Sequence, residues 1–186
     1  MPDLTRLAAC ITASFLIFLS GVANGAEPVI LVTVEKSGDA FIVDAALDFP
    51  VLLSKAWEVL TDFDHMVGIL GNLTSSRITA RNGNTLIVQQ AGKASYGIFS
   101  YSFASEREIR LEPMKRIFAR QLTGSARQFS SELELSASQG GTQVRYHAEV
   151  VPDSAIARKF GGPFIQHEVE EQFTAMAAEM NRRNTH

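Results

Sequence analysis

Apolar and polar residues alternate with a period of two along most of the chain, which predicts a protein built mainly from β-strands. Two such runs, Val29 to Glu35 and Phe41 to Asp48, flank the turn-forming residues 36–39 and predict a β-hairpin. Asn82-Gly83-Asn84 and Gly140-Gly141 mark two further tight turns. The remaining predicted strands are Ser75 to Arg81, Thr85 to Ala91, Tyr96 to Leu111, Arg116 to Leu122, Phe129 to Ala137 and Thr142 to Val151.

Two segments have helical rather than strand spacing. Pro50 opens the first, whose apolar stripe is interrupted at residues 61–64 and then resumes. Gly161-Gly162-Pro163 precedes the second, which is longer and comes last. The stripes consist of Leu53, Ala56, Trp57 and Leu60, and of Phe164, Ile165, Val169, Phe173, Met176, Ala177 and Met180. The opposite, polar side of the last helix is expected to carry Glu168, Glu171, Glu179 and Arg183.

The alternation also assigns the two faces of the sheet. In the last strand Val144, Tyr146 and Ala148 share one face, whereas Arg145 and His147 share the other. We therefore expect one solvated face and one apolar face, with the last helix covering the apolar one in an α+β layer. Between residues 99 and 111 the apolar parity consists of Phe99, Tyr101, Phe103, Ser105, Arg107, Ile109 and Leu111.

Arg107 is the charged exception on this apolar parity. A buried guanidinium needs a partner, because an unpaired charge in apolar surroundings is unfavourable by several kcal/mol. Two interpretations are open at this point. Either a β-bulge or the end of the strand turns the side chain toward solvent, or Arg107 holds a carboxylate, phosphate or carbonyl group of a ligand.

The first residues have the order of a secretory signal peptide. Arg6 precedes the apolar residues 7–19, and small residues follow over 20–26. We expect cleavage after Gly25 or Ala26, which divides the chain into a signal peptide, 1–26, and one domain, 27–186. The mature protein would then be soluble and periplasmic or secreted, with no permanent membrane anchor. The alternatives are an uncleaved anchor, for which the run is short, and lipid attachment at Cys10, which lies on the wrong side of the run.

Composition excludes several classes of function. The formal charge of −3 gives no electrostatic reason to expect nucleic acid as a partner. Cys10 is the only cysteine, so the mature chain would have no disulfide, thiol nucleophile or thiolate zinc site. No pair of histidines has metal-ligand spacing, and no nucleotide or hydrolase motif is present. His65, beside Asp62, is the only histidine that we consider as an acid or base, and we assign no catalytic residue, metal or cofactor.

The chain resembles the START-like, or SRPBCC, helix-grip superfamily in its hairpin, its meander of strands, its long last helix and the segments "FPVLLSKAWEVLTDFDHM" and "GGTQVRYHAEVVP". It is most similar to the branch of polyketide cyclase/dehydrase or coenzyme Q-binding proteins, over residues 29–183. The most specific pieces are Ala56 to Phe63 and Gly141-Thr142 leading into Tyr146 and Pro152, and neither is a catalytic motif. The resemblance implies a curved antiparallel sheet wrapped around a long C-terminal helix. Short broken helices after the N-terminal hairpin would close one end of the cavity between them.

This implied cavity supplies the candidate site. Large side chains of the broken helix, the apolar sheet face and the last helix would be shared between core and cavity wall, although each is also a candidate for plain core packing. The candidate ligand-binding residues are Trp57, Phe63, Met66, Ile69, Leu70, Phe99, Tyr101, Phe103, Arg107, Leu133, Tyr146, Phe173 and Met176.

Three functions fit this reading. The preferred one is an exported binding or carrier protein for an apolar small molecule, such as a lipid, an isoprenoid or a polyketide-like compound. The second is an enzyme of the cyclase/dehydrase type, whose cavity orients a hydrophobic substrate while one polar group moves a proton. The third is an interaction module with a filled cavity. The sequence identifies neither the ligand nor the oligomeric state.

Overall fold

The computed structural model describes residues 27–97 and 99–185. The expected signal peptide and the terminal His186 lie outside the described residues, as does the side chain of Phe99. The strands are β1 (Val29–Ser37), β2 (Ala40–Phe49), β3 (Leu73–Asn82), β4 (Thr85–Tyr96), β5 (Phe99–Glu112), β6 (Arg116–Gly124), β7 (Ala126–Ser138) and β8 (Gly141–Pro152). The helices are α1 (Leu53–Leu60), a 3₁₀ helix (Phe63–Gly68), α2 (Ala155–Phe160) and α3 (Gly162–Asn184).

The strands form one antiparallel sheet in the order β1-β2-β8-β7-β6-β5-β4-β3. Strand β8 pairs with β2 and so joins the N-terminal hairpin to the later meander, which leaves β1 and β3 as the two edges. The turn at Gly83 has the positive φ of 56° that its Asn-Gly sequence predicts. Since this sheet carries a long last helix and short helices after its first hairpin, the α+β helix-grip fold expected from the sequence is confirmed.

Helix α3 lies across the inner face of the curved sheet. It packs mainly against β1 and α1, with smaller contacts to β2, β4 and α2. Strand parity agrees with the predicted faces, because Val144 and Ala148 are buried while Arg145 and Glu134 are exposed. The core therefore lies between the inner sheet face and α3, and none of the helices within residues 27–97 and 99–185 has the length and apolar character needed to cross a bilayer.

The structure differs from the predicted elements in the following places. Helix α1 begins at Leu53 rather than at Pro50, which lies in a bend before it. The run from Tyr96 to Leu111 is not one strand, because β4 ends at Tyr96 and the chain reverses at Gly97, whose φ is 60°. The short helix α2 before α3 was not predicted, and Ser154 caps it by accepting a hydrogen bond from the Ala157 amide.

Trp57 is less buried than its position on the predicted apolar stripe of the first helix suggests. The fully buried residues of α1 are Ala56, Val59 and Leu60, whereas Trp57 is only partly buried and packs against the edge of the core cluster. The physical reason is that this two-turn helix lies in a corner between α3 and the sheet, so its buried face is rotated toward Val59.

Candidate ligand site on the inner sheet face

Strand β5 positions Arg107 on the inner face of the sheet. Arg107 pairs with Val88 in an unbroken β4–β5 register, so its side chain has the parity of the buried Ile109. The irregularity in the β5–β6 pairing comes directly before it, between Glu106 and Arg107. The strand thus directs a cation toward α3, and the interpretation that the side chain turns outward does not hold.

The side chain of Arg107 has an aromatic neighbour, but within the described residues its Nε atom has no acceptor. Its central carbon lies 4.7 Å from the centroid of the Phe129 ring, an arrangement that stabilises a cation through the ring's negative face. Its Nε atom is buried and makes no hydrogen bond, and within the described residues the side chain forms no ion pair. Burial lowers the pKa of Arg107, although the interaction with Tyr146 offsets part of this effect. The side chain is a positively charged donor with an unused bonding position.

Tyr146 lies beside this cation on β8. Its ring packs edge-on against Phe173 of α3, with ring centroids 5.3 Å apart. Burial raises the pKa of the Tyr146 phenol, while the charge of Arg107 and a hydrogen bond with Ser131 act in the opposite direction. The phenol is therefore protonated at neutral pH and adds a second polar group next to Arg107.

Further along the inner face, small polar residues replace the apolar ones. Ser105 comes two residues before Arg107 in the chain and has the same parity on β5. Its buried hydroxyl has no hydrogen-bond partner within the described residues. Gln90, which pairs with Ser105, donates to the Ser76 hydroxyl at 3.1 Å. Ser76 in turn donates to the backbone carbonyl of Phe63 at 2.5 Å. These residues form a polar strip that runs from Arg107 toward the 3₁₀ helix.

A group of charged residues fastens the far end of α3 to the first helix. Arg183 donates to Glu179 at 2.6 Å, to Asp62 at 2.7 Å and to Glu58 at 3.0 Å. We call these four residues the Arg183 clasp. His65 lies 2.6 Å from Asp62, but its side chain is 78% exposed and does not face the interior. The acid or base role considered for His65 therefore gains no geometric support.

The clasp shifts the ionisation of its carboxylates. Hydrogen bonds from Arg182 and then from Arg183 lower the pKa of Glu179 to about 2, although burial acts against them. Burial raises the pKa of Asp62, but hydrogen bonds from His65 and Arg183 outweigh it and the net direction is downward. Both carboxylates are therefore ionised at neutral pH, and they hold the C-terminal end of α3 against the turn after α1.

Comparison with known proteins places this architecture in a family. Residues 41–183 match the family of polyketide cyclase/dehydrase and lipid transport proteins. The chain belongs to this family. The family's description gives polyketide cyclisation or dehydration and lipid transport as its general range of function. A comparison with curated proteins gives no match.

Solved structures with the same fold have very different sequences. The Zhui aromatase/cyclase from Streptomyces sp. R1128 superposes with a TM-score of 0.69 at 17% identity, over 77% of this chain and 95% of that one. A STAR-related lipid transfer protein from Xanthomonas axonopodis gives 0.65 at 9% identity, over 86% of this chain and 95% of that one. A START superfamily protein from Mycobacterium smegmatis also gives 0.65 at 9% identity, over 76% and 97% of the two chains. At such identities the likeness shows the fold alone.

The residues predicted for the site, apart from Arg107 and Phe99, divide into three groups by their exposure. Tyr101 is 46% exposed, and its hydroxyl donates to the Ser125 carbonyl at 2.8 Å, so it lies at the outer end of β5. For all of these residues, ligand binding stays a prediction. Those that are buried are Phe63, Met66, Leu70, Leu133 and Phe173. Those that are partly buried at the margin of the same cluster are Trp57, Ile69, Phe103, Tyr146 and Met176.

The structure has a hollow over strands β3 to β6. This hollow is not the cavity that the sequence predicts between the sheet and the last helix. That hollow has a volume of about 480 Å³, and none of the residues predicted to bind a ligand lines it. Its lining is Ser75, Ser76, Arg77, Gln89, Gln90, Ala91, Ala104, Ser105, Glu106, Thr123 and Gly124. The candidate site therefore rests on the unpartnered polar atoms of the inner face.

Sequence reasoning missed two residues of the inner face. Glu168 was assigned to the polar side of the last helix, but its side chain is buried and accepts a hydrogen bond from Asn72 at 2.9 Å. The assignment was wrong because the loop before β3 covers that flank of α3, which helical periodicity does not reveal. Phe129 is the second, and only the observed packing of Arg107 over its ring marks it.

Proposed function

We propose that this protein is an exported carrier for an amphipathic small molecule, which it binds on the inner sheet face under α3. The ligand has a lipid-like, isoprenoid or polyketide-like apolar body and an acidic or carbonyl group that accepts from Arg107. The proposal extends the family's general association with hydrophobic ligands to a particular site in this chain.

The observation that carries the proposal is the buried Nε atom of Arg107. A buried donor on a cation is unfavourable unless an acceptor meets it, and Arg107 Nε has none among the described residues. Tyr146 and Ser105 add two polar groups at the same place, and the hydroxyl of Ser105 is also without a partner. A carboxylate is the small-molecule group that matches a guanidinium best in charge and geometry.

The apolar body of the ligand would contact the surrounding core. Leu133, Phe173 and Met176 lie on the sheet and helix surfaces that face each other around Tyr146. Since these side chains already pack together, ligand entry requires part of α3 or the 3₁₀ helix to move. This makes the Arg183 clasp, which joins α3 to α1 and to the turn before the 3₁₀ helix, the natural control point for access.

Native mass spectrometry tests the carrier function. Protein purified from its own host under non-denaturing conditions should carry a small hydrophobic acid or carbonyl compound, which organic extraction removes. The extracted protein should then bind added cis-parinaric acid, a fluorescent fatty acid. Empty protein that also fails to bind this probe contradicts the proposal.

Export is a separate part of the proposal and is supported by the order of charge, apolar run and small residues before Glu27. Sequencing the N-terminus of protein recovered from the periplasm or the medium should give Ala26 or Glu27. Recovery of an intact Met1, or of a lipid on Cys10, overturns this part without affecting ligand binding.

An enzyme of the cyclase/dehydrase type is the second candidate. The observation in its favour is the protonated phenol of Tyr146 next to a fixed cation, since such a pair stabilises a developing enolate. A carrier releases its extracted ligand unchanged, whereas an enzyme converts it during incubation. Mass analysis of the ligand before and after incubation with fresh protein separates the two.

A further inference from the structure

A second unsatisfied polar group lies at another part of the inner side, where α3 meets the loop before β3. Asn72 donates from Nδ2 to the Glu168 carboxylate at 2.9 Å, and Glu168 is only 8% exposed. The other polar atom of the amide, Asn72 Oδ1, is buried and has no hydrogen-bond partner. We call these two residues the Asn72–Glu168 pair.

Backbone contacts fix this pair relative to β5. The Asn72 carbonyl accepts from the Lys93 amide at 2.8 Å, and it lies 2.2 Å from where a Cβ on Gly92 would be. The same point is 2.8 Å from the tip of the Phe103 ring, and Gly92 pairs directly with Phe103. The loop, β4 and the Phe103 ring therefore meet at one place, which only a glycine at position 92 allows.

Strand β5 relates the loop that carries Asn72 to Arg107. Phe103 and Arg107 have the same parity on β5 and are four residues apart, which corresponds to about 13 Å of strand. Ser105 lies between them on the same face. Since the Asn72 backbone lies at the Phe103 end of this segment, a ligand that contacts both Arg107 and the Asn72–Glu168 pair has to be elongated.

The two groups have opposite hydrogen-bonding character. Arg107 only donates, whereas Asn72 Oδ1 and the Glu168 carboxylate accept. Burial raises the pKa of Glu168, while the hydrogen bond from Asn72 acts in the opposite direction. A buried acceptor without a donor is unfavourable, so the Asn72 position calls for a ligand group that donates.

We propose that the ligand is an elongated, hydroxylated amphiphile, whose acidic or carbonyl group meets Arg107 and whose hydroxyl group, toward the Phe103 end of β5, donates to the Asn72–Glu168 pair. This inference rests on the proposed carrier function and deepens it, because it specifies a second functional group of the ligand. An unsubstituted fatty acid leaves Asn72 Oδ1 without a donor.

Displacement of cis-parinaric acid from ligand-free protein tests the proposal. Omega-hydroxydodecanoic acid and dodecanoic acid differ only in the terminal hydroxyl, and both, when extended, are about as long as the β5 segment from Phe103 to Arg107. The wild type should bind the hydroxy acid about 3–10-fold more tightly, the gain expected for one neutral hydrogen bond to a buried acceptor. In Asn72→Ala the ratio between the two affinities should fall to about one.

Asn84→Ala is the matched control, because Asn84 is an exposed asparagine in the turn between β3 and β4. It should keep the full preference for the hydroxy acid. Equal affinities for the two acids in the wild type overturn the proposal, and this comparison needs no variant to fold. If dodecanoic acid binds but the hydroxyl has no effect, only this inference fails. If neither acid binds, the carrier function falls with it.

Discussion

Arg107 shows at the level of a single residue how binding and stability oppose each other. Its charge is held on the inner face of β5, over Phe129, and its buried Nε has no acceptor within the described residues, so folding includes a desolvation cost at this atom. Such local costs are typical of residues retained for function rather than for stability. Replacing Arg107 with an apolar residue is therefore predicted to stabilise the protein, whereas most substitutions of core residues destabilise it.

Arg107→Met should raise the free energy of unfolding of ligand-free protein by about 1–3 kcal/mol, because an apolar side chain of similar length replaces an unpaired charge. Urea denaturation, followed by the fluorescence of Trp57, measures the change. Trp57 is the only tryptophan in the chain. A loss of stability above about 1 kcal/mol would instead mean that the guanidinium already has a partner in the folded protein.

Arg110→Met is the control for this substitution. Arg110 is on the same strand with the opposite parity, and its guanidinium also covers a ring, that of Phe118 at 4.1 Å. Its side chain is more than half exposed, so we expect a loss below about 1 kcal/mol, the usual size of an exposed cation–π contact. The comparison isolates burial as the difference between the two arginines.

The sequence could place Arg107 on the apolar parity but could not decide which way it points. That decision depends on the pairing of β5 with its two neighbouring strands, which is unbroken toward β4 and irregular toward β6 just before Arg107. The same limit applies to Glu168, whose partner Asn72 is 96 residues away in the chain. Periodicity shows only which face of its own helix or strand a residue occupies. It carries no information about a distant loop that covers that face.

At the level of elements, α3 is fastened at one end by the Arg183 clasp. Arg183→Ala removes hydrogen bonds to Glu179, Asp62 and Glu58 and leaves Asp62 and Glu179 with fewer counter-charges. We expect a loss of about 1–3 kcal/mol at neutral pH, the range for charge-assisted hydrogen bonds, measured by urea denaturation.

Arg182→Ala is the matched control for the clasp. Arg182 also binds Glu179, but its side chain is 63% exposed and reaches neither α1 nor the turn after it. Its removal should therefore cost less than about 1 kcal/mol. If the two variants lose the same stability, the contacts of Arg183 across to α1 contribute nothing and the clasp is only a surface pair.

Acidification should weaken the same element. The pKa of Glu179 is lowered from 4.5 to about 2, so its ionised form stabilises the folded chain. This contribution is fully present above about pH 4.5 and is lost as the pH falls through about 2. Denaturation curves over this range should show the difference between wild type and Arg183→Ala shrinking as the pH falls. A difference that stays constant would contradict the lowered pKa.

Strand and helix types were predictable over most of the chain because alternation and turn residues agree with each other, as in the hairpin of β1 and β2. The reversal at Gly97 was missed because apolar residues flank the glycine on both sides and hide the turn. Helix α2 was missed because its six residues are too few to show a period.

On the scale of the whole molecule, the protein is a sheet and a helix with polar groups set between them. Arg107, Ser105 and Asn72 each keep a buried atom without a partner, and all three lie in or beside the inner part of β3 to β5. A core evolved only for packing would carry apolar residues there. Membership of the polyketide cyclase/dehydrase and lipid transport family agrees with this interpretation. The chemistry of the ligand has to be inferred from the residues of the site.

The central claim is that Arg107 receives the acidic group of the ligand. Its most direct test is a titration of delipidated wild type, Arg107→Met and Arg110→Met with cis-parinaric acid and with its methyl ester, followed by energy transfer from Trp57. Arg107→Met should bind the acid about 10–100-fold more weakly than wild type, the range for a charge-assisted hydrogen bond. Arg110→Met should match the wild type, and the loss caused by Arg107→Met should be smaller for the ester, which keeps a carbonyl acceptor but has no charge. Equal affinity of wild type and Arg107→Met for the acid would contradict the claim.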